Sequence, residues 1–422
     1  MIIRSVHLEN FRNYGRLDLD VGPSVNIFYG DNAQGKTNLV EGIYVASSIA
    51  SHRTSKDSDL IKFGENEYKA SLDLSDEGAL TSLSSCYYTE KSVLSKNNRT
   101  GRILTRDNAP VDKISEYIGI CNIVIFAPED LNIVKNAPAF RRKFLNTLIS
   151  KVSPSYFNLL TNYSKLLSQK NALLKSIRIS DSMPALVNEQ LNFWDYSLAD
   201  LSAEIILKRY RFAKLISDTA SKHHSSISGG KEKLSIEYST VFGVVGALET
   251  FLNKNGKYDE YMSKGLSGTD YGRIKGILSD LVLAKLKSVR NYDIDKHISS
   301  VGIQRDDIVI KLDGLVMKTF SSQGQQRTAA LALKLSELEI IKMFVSSTPI
   351  LILDDVFSEL DKARRMSLVS AMKDAQIFIT CTDKDMIGEE IDVMQGAGKA
   401  AFYRVNGGII EAETLFLGQS AL

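Results

Sequence analysis

Cysteine is scarce: the 422 residues hold three, Cys86, Cys121 and Cys381. They lie far apart and form no C-x-x-C pair, which argues against a zinc site or a disulfide framework and fits a reducing cytosol. No apolar run approaches the length needed to span a bilayer. The start, Met1-Ile2-Ile3-Arg4-Ser5-Val6-His7-Leu8-Glu9, lacks the apolar core of a secretory signal. A cytoplasmic protein with no membrane partner is therefore expected. Net charge is only +2, so any surface for nucleic acid must be local rather than global. Internal repeats and low-complexity tracts are also missing. What is present, 24% charged and 44% apolar residues, describes a folded chain of two or three domains.

Against that background one stretch stands out. Gly30-Asp31-Asn32-Ala33-Gln34-Gly35-Lys36-Thr37 reads G-x-x-x-x-G-K-T, the phosphate-binding loop pattern. Ser24 to Tyr29 before it has strand character, and Asn38 to Ala46 after it has helical spacing. Strand, glycine turn and helix are what this chemistry needs: backbone N–H groups wrap the phosphates and the helix N-terminus adds its positive end. Lys36 is expected to reach the β/γ-phosphates of ATP, Thr37 to hold Mg²⁺, and Asn38 to follow at the helix start.

Around the loop, Ile2–Leu8, Arg16–Val21, Lys69–Leu74 and Leu83–Tyr88 read as strands. Arg12 is either a nucleotide or DNA contact or a solvated charge on a turn. Arg53, in Ser51-His52-Arg53-Thr54, is either a phosphate contact or a surface arginine. Lys91, Lys96, Arg99, Arg102 and Arg106 fall in a stretch without acids between them, a candidate DNA-phosphate surface or a solvated hairpin. Arg141 and Arg142 are further DNA candidates.

From Tyr156 the periodicity becomes helical. Tyr156, Leu159, Tyr163, Leu166, Leu173 and Ile177 keep 3/4 spacing, with Lys170 interrupting. Leu191, Trp194, Leu198, Leu201, Ile205 and Phe212 repeat it beyond Met183-Pro184. An antiparallel pair with a short seam, or two ordinary core helices of a bundle, explains this. Each arm is then at most about 30–50 Å at 1.5 Å per residue. Lys254–Gly272 has no period and reads as a surface insertion.

Two further motifs lie in the last third. Pro349-Ile350-Leu351-Ile352-Leu353-Asp354-Asp355 is a buried strand ending in two carboxylates, Asp354 for magnesium and Asp355 for the attacking water. Ser322-Gln323-Gly324-Gln325 opens a long helix over Ala329–Phe344. It resembles the signature motif of ABC ATPases, whose serine and glycine N–H groups bind the γ-phosphate held by a second subunit. Ser322, Gly324 and Gln325 are assigned on that resemblance. Phosphate loop, signature, Asp-Asp and Ser358-Glu359-Leu360-Asp361 occur in the ABC order. Most of the chain separates the first from the rest, as in heads split by a helical insertion. The expected architecture is thus an α/β ABC-type head split by a helical insertion with a short antiparallel helix pair: 1–135 head, 136–290 insertion, 291–422 head.

Leu8-Glu9-Asn10-Phe11-Arg12-Asn13-Tyr14, the phosphate loop, Ser51-His52-Arg53-Thr54, Phe126-Ala127-Pro128-Glu129-Asp130-Leu131, Arg141-Arg142-Lys143-Phe144-Leu145, Arg305-Asp306-Asp307, Ser322 to Arg327 and Leu353 to Asp361 together resemble the RecF family of bacterial recombination mediators. The resemblance implies an ATP-dependent homodimer with weak ATPase activity that binds duplex and gapped DNA. It also implies action with RecR and RecO in loading RecA at single-strand gaps. The chain departs from the family at Gly302-Ile303-Gln304, where Gly-Pro-His is usual. It is also longer around Lys254–Gly272 and after Asp385. Thr380-Cys381-Thr382 stands where transporters carry a switch histidine. The rival readings are a RecF-like ATPase of a phage or mobile element and, further off, a transport-type engine, which needs a coupling surface and a switch histidine.

Overall fold

The computed structural model describes residues 1–177, 185–372, 375–383 and 400–414. Met183-Pro184 and most of the chain after Asp385 lie outside the described residues. Two compact units form, one from Met1–Leu131, Ser226–Gly230 and Arg327–Leu422, the other from Asn132–Ser225 and Lys231–Gln326. The strands run in order β1 (Ile2–Phe11), β2 (Tyr14–Asp20), β3 (Val25–Tyr29), β4 (Glu67–Asp76), β5 (Ala79–Tyr88), β6 (Gly101–Arg106), β7 (Ala109–Pro110), β8 (Ile123–Phe126), β9 (Leu234–Ser239), β10 (Asp307–Leu312), β11 (Leu315–Val316), β12 (Ile350–Asp354), β13 (Ile377–Cys381), β14 (Ala401–Asn406) and β15 (Ile409–Thr414).

The first unit holds two sheets. One is antiparallel, ordered β2-β1-β4-β5-β6-β7. The other, ordered β15-β14-β3-β13-β12-β8, is parallel except for β15. Its strands β8, β12 and β13 are buried at every position, as parallel strands covered on both faces must be. The helix Lys36–Ser48 packs against both sheets and buries ten of its 13 residues, hence its lack of a polar face. The parallel register pairs Cys381 with Tyr29 and Asp354 with Thr380. The carboxyl ends of β3, β12 and β13 therefore open at one level, where ligands of α/β sheets bind.

The second unit is mostly helical. Helices Pro154–Ser176 and Ala185–Ser228 run antiparallel, because Tyr156 meets Arg209 at 3.0 Å while Lys170 meets Asp195 at 2.9 Å. Lys170 is not a flaw in the seam: it is buried between Asp195 and Asp293 (3.5 Å). The second helix has 44 residues, roughly 66 Å at 1.5 Å per residue, longer than expected. Nothing breaks it before Gly229 and Gly230, whose φ angles are +67° and +74°.

Asp307–Leu312 lies in the segment 291–422 expected as head, and β10 pairs along its whole length with β9, within the second unit, which runs to Gln326. Lys254–Gly272, the stretch without a period, is partly helical. It contains the helix Tyr258–Lys264 and the start of Gly268–Ser288, too short between Gly256, Gly265 and Gly268 to establish a visible period.

Candidate nucleotide and nucleic-acid sites

The phosphate loop leaves β3 through Gly30 (φ +147°) and enters the helix through Gly35 (φ +115°). Neither angle suits a residue with a side chain. A Cβ on Gly30 would also stand 2.4 Å from the Val405 carbonyl. Lys36 Nζ donates to the carbonyls of Gly30 (2.5 Å) and Asp31 (2.7 Å), curling the loop around its own ammonium. Burial lowers the Lys36 pKa, and Asp355, Cys381, Asp31 and Asp354 oppose that.

Asn32, Ala33, Gly35, Lys36, Thr37, Asn38, Arg53, Asp355 and Thr380 line a cavity of ≈ 220 Å³. The Thr37 hydroxyl donates to Asp354 at 3.0 Å, and the Thr380 hydroxyl to the same oxygen at 2.6 Å. Asp354 is 3% exposed. Burial raises its pKa against the two hydroxyls and Arg53, and neighbouring Glu129 adds to the rise. A hydroxyl and a carboxylate converging in this way are hard oxygen donors that fit Mg²⁺. Asp355 is exposed at the cavity edge with φ +53°, its N–H donating to Thr380 Oγ1 at 3.0 Å. Ser358 donates to its carbonyl at 2.8 Å.

Several residues of this site were not assigned to it from the sequence. Asn13 accepts from Asn38 at 2.8 Å, and Tyr14 donates to the Gly35 carbonyl at 3.1 Å. From the other side Gly407 N–H reaches Gln34 Oε1 (2.6 Å) and Gly408 N–H reaches the Gln34 carbonyl (3.0 Å). Thr380 is a single polar position at the end of an apolar strand, a cue that only the neighbouring Asp354 makes legible. Arg12 is not a freely solvated charge on a turn. It forms a two-pronged pair with Glu41 (2.9 and 3.0 Å), whose side chain is fully buried. Arg53 joins them at 3.4 Å from Glu41 and also faces Glu129 at 3.9 Å. It therefore sits in the cavity wall, anchored from behind.

The signature segment closes the second unit. Ser322 N–H donates to Gln325 Oε1 at 2.7 Å and Gln325 N–H to Ser322 Oγ at 3.3 Å, a reciprocal cap of the helix Gln323–Phe344. Ser322 and Gly324 are exposed, and Gln325 Nε2 donates to Glu232 at 2.8 Å.

The DNA candidates separate into two groups. Lys91, Lys96 and Arg99 are exposed, and Arg106 is half-exposed with Asp107 at 3.7 Å. Arg102 is withdrawn from that surface: it pairs with Asp57 at 2.5 Å and donates to the Ile49 carbonyl. Arg141 is withdrawn too, buried and doubly bonded to Asp307 at 2.8 Å. Arg142 donates to the Asp306 carbonyl at 2.9 Å. Their charges satisfy internal acceptors, so the Arg305-Asp306-Asp307 segment acts as a clasp inside the second unit. Asp306 is itself buried against Arg209 (2.9 Å) and Tyr238 (2.5 Å). Gln304, where the family usually has histidine, accepts from Tyr163 at 2.8 Å.

A parallel sheet bearing a phosphate loop and an acidic strand, interrupted by a helical insertion that ends in a signature cap, defines an ABC-type ATPase head of the split kind. The family model described as the RecF/RecN/SMC N terminal domain matches residues 2–400. The chain is 36% identical over 413 residues to the DNA replication and repair protein RecF of Ruminiclostridium cellulolyticum, covering 98% of this chain and 100% of that one. It is 37% identical to the RecF of Clostridium tetani, covering 90% and 93%. A solved structure described as the recombination mediator protein RecF with ATP in the RecFOR pathway superposes with a TM-score of 0.80 at 30% identity, covering 98% of both chains. The chain belongs to the RecF family. Among the described residues no helix is long and apolar enough to cross a membrane.

Proposed function

We propose that this chain is an ATP-gated DNA-binding protein of recombinational repair and replication. The convergence of Lys36, Thr37, Asp355 and Thr380 around one cavity, with Asp354 bonded to both threonines, carries that reading. The names of its relatives support the repair role, and the relative solved with ATP supports the nucleotide.

Loop N–H groups from Gly30 to Asn38 would cradle the phosphates while Lys36 turns from the Gly30 and Asp31 carbonyls to the β/γ oxygens. Thr37 and Asp354 would hold Mg²⁺, which neutralises charge on the phosphates when bound. Asp355 stands at the open edge and orients a water. Arg53 supports the wall beside the phosphates. Ser322, Gly324 and Gln325 of the partner subunit cap the γ-phosphate, so that ATP forms part of a homodimer interface. The dimer clamps duplex DNA near single-strand gaps and acts with RecR and RecO in loading RecA. Catalysis consists of positioning and charge stabilisation, which suits a slow ATPase that resets the clamp. The site works in the cytoplasm.

Lys36→Ala tests this. It removes the ammonium at the β/γ position and should abolish both ATP binding and ATP-dependent retention on DNA, measured by nucleotide titration and a DNA pull-down. Retention equal to wild type overturns the reading.

A further inference from the structure

Two linked turns at one end of the antiparallel sheet hold apolar side chains in solvent. The turn Lys62–Glu65 is closed by Glu65 N–H to the Lys62 carbonyl at 3.0 Å. Phe63 takes its second position and Gly64, at φ +91°, supplies the positive φ its third position needs. Phe63 is 102% exposed. After β5, Ser92 N–H reaches the Thr89 carbonyl (3.1 Å) and Ser95 N–H the Ser92 carbonyl (3.0 Å). Val93, at the second position of the latter turn, is 95% exposed. Thr89 N–H donates to the Asn66 carbonyl at 2.9 Å, and Ser92 Oγ donates to Glu67, which ties the two loops together. Lys62, Lys91, Lys96 and Arg99 stand on these loops against Glu65, Glu67 and Glu90.

An aromatic ring carried outward on a hydrogen-bonded turn contributes nothing to the core. A single exposed apolar side chain is ordinary on a protein surface, but two on turns tied together by hydrogen bonds offer a partner apolar contact beside cations. The surplus of cations selects an anionic partner, and a flat ring beside cations suits a base next to its phosphates. We propose that Phe63 and Val93 form a prong that reads the open base at a junction between duplex and single strand. Phe63 stacks on the first unpaired base, Val93 packs at its edge, and Lys91, Lys96 and Arg99 take phosphates of the same strand. This rests on the DNA-binding reading above and adds which part of a gapped DNA is recognised. An intact duplex offers no open base face, so the prong adds nothing there.

The test uses full-length protein with ATP and a gapped oligonucleotide carrying 2-aminopurine as its first unpaired base, beside the matching intact duplex. Wild type should quench the probe and prefer the gap. Phe63→Ala should lose the quenching and reduce the gap-over-duplex preference about tenfold, with duplex affinity unchanged, and Phe63→Trp should restore both. A probe unquenched by wild type, or a Phe63→Ala variant with wild-type preference, overturns the proposal. If Phe63→Ala instead weakens ATP-dependent self-association in light scattering and spares both DNA affinities, the prong docks a protein chain and the DNA assignment falls. Wild type that binds neither DNA overturns the reading under Proposed function as well. Wild type that binds DNA alongside an unaltered Phe63→Ala variant overturns this inference alone.

Discussion

Asp354 is a carboxylate held in a place that disfavours its charge. Burial raises its pKa above the ordinary aspartate value of 3.8, although Thr380 and Thr37 donate to it. The raised group keeps its proton in the folded state at a pH where the unfolded chain has released it. Its stabilising contribution is therefore full below the unfolded value and is lost as pH rises through the folded one. Asp354→Asn removes that loss. The nucleotide-free variant should melt at or above the wild-type temperature near neutral pH, with the gap closing towards pH 4. The same variant should show no Mg²⁺-ATP thermal shift and no ATP hydrolysis. A variant that melts lower than wild type near pH 7 and gains on acidification would contradict this sign. Arg12 and Glu41 illustrate the opposite use of charge. Burial of Glu41 works against its ionised form, but hydrogen bonds from Arg12 and Ser51 and the charge of Arg53 hold its pKa below the usual range. The pair anchors the turn after β1 to the phosphate-binding helix.

The phosphate loop, as an element, is held between two turns remote in sequence. The turn at Asn13 and Tyr14 packs against Gly35, and the β14–β15 turn at Gly407 and Gly408 bonds Gln34. At Gly30 the loop leaves no room for a side chain beside Val405 of β14. Gly30→Ala places a methyl group against the Val405 carbonyl at a backbone angle that side chains avoid, and such strain costs about 1–3 kcal/mol. The expected outcome is a lower melting temperature together with an ATP affinity reduced at least about tenfold, by titration calorimetry. Wild-type values for both would mean that the close approach does not constrain the loop.

For the whole molecule the deciding question is self-association. Ser322 and Gly324 are exposed at the end of the second unit, at a helix start already capped by Gln325. Ser322→Arg should leave the phosphate loop untouched and ATP binding near wild type, because the two segments belong to different units. It should nevertheless block the ATP-induced dimer, read as a monomer mass in light scattering. A dimer formed by this variant with ATP would remove Ser322 from the interface. DNA retention should also weaken steeply with salt if Lys91, Lys96 and Arg99 meet phosphates.

The contiguous parts were legible in the sequence. Gly30 to Thr37, the run Ile350 to Asp355 and the cap Ser322 to Gln325 each bring their chemistry within a few residues, because a turn, a strand end and a helix start are local structures. Tertiary structure decided whatever depends on a distant partner. Arg102 looked like a surface cation until Asp57 took it, and Arg141 until Asp307 took it. β10 pairs with β9, far earlier in the chain, a register no local pattern in the sequence states. Thr380, Asn13 and Tyr14 enter the site only because parallel pairing and a returning turn bring them there. A charge or hydroxyl in a sequence states what it can bond to; only the fold states which partner is within 3 Å.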